Sequence, residues 1–180
     1  MQRAGGDEEG HTPQRLEMSA FEDLVVLYDR KLYNLVLRLV KHPDDAADLT
    51  QETFVRAFKS WDKFEGRSSP YTWLCQIAIN LYRNRARDRA SWSLEPMETD
   101  DLVSPIPTPE AALHNAVFSD TIRRAIDSLP GEYRIVSVLR DLQGLTYQEI
   151  AEAADLSVDV VKTRLARARS LLRKKLQNFL

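Results

Sequence analysis

From Lys162 to Lys175 the chain carries seven basic residues (Lys162, Arg164, Arg167, Arg169, Arg173, Lys174 and Lys175) and no acidic one. Such a run either solvates a helix surface or grips a polyanion, and the way a helix would present it separates the two. At about 100° per residue, Val161, Leu165, Ala168 and Leu172 share one stripe that must pack inward. Asp159, Thr163, Ala166, Arg167 and Ser170 fall on the opposite side, with Lys162, Arg164 and Arg169 on the flanks. Short or hydrogen-bonding side chains between long cations suit base edges in a major groove, the cations reaching phosphates. Arg167 is placed for a bidentate guanine contact, worth about 1–3 kcal/mol of discrimination. Thr163 and Ala166 can meet a thymine methyl. Arg173, Lys174 and Lys175 lie beyond that patch and serve solubility.

The elements that must position this face are legible just upstream, in GLTYQEIAEAADLSVDVVKTRLARARSLLRKKL. Thr146 followed by Glu149 forms a capping box that starts a helix running to Ala154. Asp155, Leu156 and Ser157 make a short turn in which Leu156 is an apolar plug and Ser157 caps the next helix. Two helices joined by so short a turn follow the helix-turn-helix plan.

A second basic cluster, Arg83, Arg85, Arg87 and Arg89, ends a helix expected over about Tyr71 to Arg87. Its buried stripe is Leu74, Ile77, Ala78 and Leu81, and Gln76, Asn80, Arg83 and Arg87 lie opposite, with Asn84 beside them. Such a row either solvates the helix or pairs with bases and phosphates. The loop before it, KFEGRSSPYTW, offers Phe64, Tyr71 and Trp73 for core packing or for stacking on unpaired bases. In the preceding helix, PDDAADLTQETFVRAFKSW, the expected core face is Ala47, Gln51, Phe54, Phe58 and Trp61. Asp45, Leu49, Glu52 and Arg56 then face outward with Asp48 on the flank, an exposed leucine among acids that suits a basic docking partner.

The 180 residues are 43% hydrophobic with only 6 glycines, and apolar residues recur at helical spacing, which predicts an all-α chain. Two small helical domains are expected, 18–90 and 111–180, after a disordered tail at 1–17. Between them, residues 91–110 hold Pro96, Pro105, Pro107, Pro109 and five acids, and form a linker that either only spaces the domains or also contacts a partner. No apolar run approaches the roughly 20 residues of a membrane span. One cysteine and three scattered histidines offer no disulfide and no zinc spacing. No cofactor, metal or catalytic cluster is expected, which leaves an enzyme remote. A cytoplasmic protein is expected, with Cys75 in its core. The net charge of −2 conceals segregation, since acids gather at Asp44–Glu52 and Glu95–Asp101. A dimeric helix-turn-helix regulator acting without polymerase is the main rival to the reading below.

DDAADLTQETFVRAFKSWDKFEG, SPYTWLCQIAINLYRNRARDR and LPGEYRIVSVLRDLQGLTYQEIAEAADLSVDVVKTRLARARSLLRKKL resemble, in order, the sigma-70 superfamily, and within it the extracytoplasmic-function (ECF) group. The resemblance implies a sigma factor that binds core RNA polymerase, through the β′ clamp helices and the β flap, and directs promoter recognition and melting. It implies polymerase contacts at Asp45, Asp48, Leu49, Glu52 and Arg56. It implies minus-ten contacts at Lys63, Arg67, Ser68 and Ser69 of the loop and at Gln76, Asn80, Arg83, Asn84 and Arg87. Lys162, Thr163, Arg164, Ala166, Arg167 and Arg169 take the minus-thirty-five positions, and an anti-sigma protein is implied as a further partner.

Overall fold

A computed structural model describes residues 13–92 and 121–177. Helix α1 (Pro13–Val40) carries Phe21, Leu24, Leu32, Leu35, Val36 and Leu39 inward at helical spacing. It ends where Lys41 turns left-handed (φ 66), and Pro43, preset for a first helical turn, starts α2 (Pro43–Lys59). A single 3₁₀ turn, Trp61–Lys63, leads toward α3 (Pro70–Trp92). Ser69 caps α3: its hydroxyl accepts from the Thr72 backbone N–H at 3.0 Å and pairs with the Thr72 hydroxyl at 2.8 Å. These three helices pack on one another as the first unit.

The second unit begins with α4 (121–127) and α5 (Gly131–Ser137), which runs on into a π turn, Val138–Leu142. Gly144 ends that turn at φ 73, a conformation that costs glycine little, and buried Leu145 then leads directly into the Thr146 cap. The helix-turn-helix follows as α6 (Tyr147–Ala154) and α7 (Val158–Leu176). Its capping box is complete: the Glu149 N–H donates to the Thr146 hydroxyl at 3.2 Å, and the Thr146 N–H donates to the Glu149 carboxylate at 2.7 Å. Asp155 closes α6 in the left-handed region (φ 53), and the Ser157 hydroxyl accepts from the Val160 N–H to start α7. Val161, Leu165 and Ala168 are buried beneath α7. All regular structure among the described residues is helical, in two units of the expected kind.

Three expectations are corrected. Leu49 is fully buried, and Ala47, Gln51 and Phe58 are exposed. The buried arc of α2 is Ala46, Leu49, Thr50, Thr53 and Ala57, because small side chains let its backbone approach its neighbours closely. The bulkier Phe54 and Phe58 lie at or outside its edge. Buried Thr53 is satisfied locally by donating to the Leu49 carbonyl at 2.7 Å. Tyr71 is buried, with Lys31 over its ring at 4.0 Å, and is therefore withdrawn from base stacking. Helix α1 begins at Pro13, inside the stretch expected as a tail, where a first-turn proline favours initiation. The linker expected at 91–110 falls almost wholly outside the described residues.

The units share one apolar core, with α3 against α6 and α1 touching α5. Buried Arg134 donates to the carbonyls of Leu39 (3.0 Å) and Leu129 (2.8 Å), which ties the end of α1 to the second unit. The Tyr71 hydroxyl donates to Gln143 at 2.8 Å, and Arg38 pairs with Asp127 at 3.4 Å.

Urea denaturation should show Leu49→Ala losing about 2–5 kcal/mol. Thr146→Ala should lose about 1 kcal/mol; a cost near zero for either substitution would contradict these placements. The Thr146 backbone N–H holds the Glu149 carboxyl below its ordinary value of 4.5. The stability from that cap is therefore complete above the ordinary value and fades as pH falls through the lower one. Glu149→Gln should flatten that acid limb.

Candidate nucleic-acid interface

Helix α7 presents Lys162, Thr163, Ala166, Arg167, Arg169 and Ser170 to solvent, as the spacing predicts. Three of these side chains have internal partners. Lys162 lies 3.4 Å from Asp159, the Thr163 hydroxyl donates to the Asp159 carbonyl at 2.8 Å, and Arg169 lies 3.5 Å from Asp141. Half-buried Arg164 pairs with Glu132 of α5. Arg167, at the centre of the exposed face, has no recorded partner among the described residues.

Helix α3 divides its arginines among three surroundings, since alternate positions point to different sides of a helix. Arg85 and Arg89 turn back to α2, pairing with Glu52 (2.7 Å) and Asp45 (2.9 Å). Arg87 is exposed and donates to Asn84 on the same face, next to exposed Asn80. Arg83 points into the second unit. It grips Glu132 with Nε (3.1 Å) and Nη2 (2.9 Å), and donates from Nη1 to the Ala154 carbonyl at 2.7 Å. Half-buried Gln76 faces a polar cleft of about 480 Å³ shared with Arg67, Ser68, Gln148 and Glu152.

In the loop before α3, Lys63 is exposed and Arg67 pairs with Glu65, whereas the Ser69 hydroxyl is spent on the helix cap. Phe64 and Trp73 take the packing role: their rings lie 4.8 Å apart, each also against Trp61. The acids around Leu49 close a seam. Glu52 joins Arg85 and Arg56, Asp45 joins Arg89, and Leu49 lies beneath. The Arg85 and Arg56 guanidiniums hold the Glu52 carboxyl below the usual carboxylate range. Asp48 stays exposed. The open apolar surface lies on another side of α2, a groove against α1 of about 600 Å³ lined by Phe21, Val25, Phe54, Val55 and Phe58.

Comparison with known proteins assigns both units. Residues 24–91 match the model of sigma-70 region 2, and residues 119–172 match that of sigma-70 region 4. The RNA polymerase sigma-H factor of Pseudomonas aeruginosa is 35% identical over 176 residues, 93% of this chain and 91% of the relative. The chain belongs to the sigma-70 family, in its ECF group. The ECF RNA polymerase sigma-E factor of Escherichia coli K12 is also 35% identical, over 173 residues, 91% of this chain and 90% of the relative. The sigma factor RpoE of Bartonella quintana, solved with the anti-sigma factor NepR, shares the fold. Its TM-score is 0.69 at 22% identity, covering 88% of this chain and 98% of that one. CnrH, solved with the cytosolic domain of CnrY, gives a TM-score of 0.64 at 27% identity, covering 89% and 90%.

This is the family implied by the order of motifs, and it makes the chain a sigma factor and not a polymerase-independent regulator. No described helix is long and apolar enough to cross a membrane. Sequence reasoning missed Glu132, Arg134 and Gln143, whose partners lie 49, 95 and 72 positions away. No periodicity signals such pairs. Cys75 is fully buried, and burial pushes its thiol up to about 12. An alkylating reagent at pH 8 should therefore leave the native sigma factor unlabelled and modify it fully in urea. Rapid native labelling would contradict the packing of α3.

Proposed function

We propose that this sigma factor contacts the minus-thirty-five element through the exposed face of α7, Thr163 and Ala166 against bases and Arg167 as the guanine reader. The observation that carries the reading is the unpartnered Arg167 at the centre of a face whose neighbouring cations are tethered to carboxylates. Lys162, Arg164 and Arg169 then serve phosphates rather than bases. Asn80, Asn84 and Arg87 of α3, with Gln76 and Arg83 once uncovered, contact the minus-ten element, supported by Lys63, Arg67 and Ser68 of the loop.

For polymerase docking we propose the groove between α1 and α2. Phe58 and Val55 are 51% and 47% exposed there, and apolar surface of this kind, with Asp48 nearby on α2, suits a helical partner with basic flanks. Asp45, Glu52 and Arg56 contribute from the seam, and Leu49 supports α2 from below without contact. The sigma factor RpoE solved with the anti-sigma factor NepR supports a partner of that kind for this chain.

Arg167→Ala should weaken binding of the polymerase complex to promoter DNA by about 1–3 kcal/mol, with core association unchanged. Phe58→Asp should do the reverse, weakening core association in a pull-down titration. Equal losses from both substitutions in both assays would refute the division of labour.

A further inference from the structure

Helix α7 carries a single acid among its cations, Asp159, and sets it on the exposed face proposed to read bases. Asp159 lies in the first turn, the end of a recognition helix whose side chains reach base edges in a major groove. Its side chain is 92% exposed. An acid in a first turn also favours helix formation, but the cap here is already supplied by Ser157, whose hydroxyl accepts from the Val160 N–H at 3.3 Å. Among the described residues the Asp159 carboxylate meets one group, the Lys162 ammonium, at 3.4 Å from Oδ1. Oδ2 stays open. The Thr163 hydroxyl donates to the Asp159 backbone carbonyl and not to its carboxylate.

A carboxylate carried in among phosphates is repelled unless something there donates to it, because an ionised carboxylate only accepts hydrogen bonds. The major groove offers two donors, the cytosine N4 amine and the adenine N6 amine. Adenine sets its acceptor N7 beside the amine, which suits an amide and repels the second oxygen of a carboxylate. Cytosine presents the amine without an acceptor of its own on that edge. We propose that Asp159 is a specificity-determining residue of the minus-thirty-five contact, accepting from the N4 amine of a cytosine through Oδ2 and rejecting the other bases at that place. The inference rests on the proposed reading of α7. Lys162 supports the contact from Oδ1, its ammonium offsetting part of the repulsion from nearby phosphates. Rejection is half of the selectivity, since guanine and thymine would turn acceptor oxygens toward the carboxylate. Asp159 stands eight positions before Arg167, about 12 Å along the helix, which spans roughly two to four base-pair steps. The acid and the central arginine thus read different base pairs.

The test uses the full chain on cognate core polymerase, bound to double-stranded promoter DNA whose minus-thirty-five region is randomised, with the retained fragments sequenced. The wild-type chain should favour cytosine about fivefold or more at one position. That position should lie roughly two to four base pairs from the guanine preference that Arg167→Ala abolishes. Asp159→Ala should erase the cytosine preference, keep the guanine one, and bind fragments lacking that cytosine more tightly than the wild-type chain does. Asp159→Asn should move the preference to adenine, whose N6 and N7 fit an amide. An acid that only helps to start the helix would give Asp159→Ala a uniform loss of affinity with an unchanged base profile, and that result would overturn the proposal. A profile altered by Arg167→Ala and not by either Asp159 variant removes the role of Asp159 alone. A profile that none of the three substitutions alters removes the reading of α7 as well.

Discussion

Helix α3 has more than one side to bury, and the rest of the structure follows from that constraint. Leu74, Ala78 and Leu81 of the predicted stripe are buried, Ile77 is only half-buried, and fully buried Cys75 and Ile79 widen the stripe into a broad arc. An arc of that width serves two layers. Helix α3 packs against α2 and α1 in its own unit and against α6 of the helix-turn-helix, and one apolar cluster runs through both units. Its polar residues must therefore share what remains of its circumference, and its four arginines fall into three environments.

Charge is the second organising principle. A chain of net charge −2 can still bind DNA because its cations and anions are sorted, but sorting leaves many of them in mutual reach. Carboxylates of α2 hold Arg85 and Arg89, and Glu132 holds Arg83 and Arg164. The Arg89–Asp45 pair is exposed and contributes little to stability, and the pairs on Glu52 and Glu132 are partly buried. They matter as positioning devices: they hold long side chains in place, mask part of the basic surface and leave Arg167 exposed at the centre of the α7 face. The polymerase-facing role we propose shifts accordingly from the acid-ringed seam over Leu49 to the apolar groove beside it.

What was legible in the sequence is what local physics decides. The capping box at Thr146, the Ser157 cap and the stripe of Val161, Leu165 and Ala168 each involve residues a turn or two apart, and the helix-turn-helix stands where they place it. The faces of α2 were not legible, because the helix has two apolar arcs and tertiary packing chooses between them. Bulk favoured Phe54 and Phe58; close approach favoured Ala46, Thr50, Thr53 and Ala57. Arg83 was legible as an anion-binding residue but not as one already engaged, because Glu132 lies far along the chain. Ser69 shows the same limit in miniature: its loop was read for nucleic acid, and its hydroxyl turns the chain into α3.

The account stands on two reading helices delivered together by one polymerase-bound chain. Run-off transcription with cognate core polymerase, this protein and fragmented genomic DNA tests that claim most directly. The account predicts transcripts whose start sites share two upstream elements at fixed spacing. No such transcripts from a core to which the chain demonstrably binds, or protection of a single symmetric site without polymerase, would contradict it.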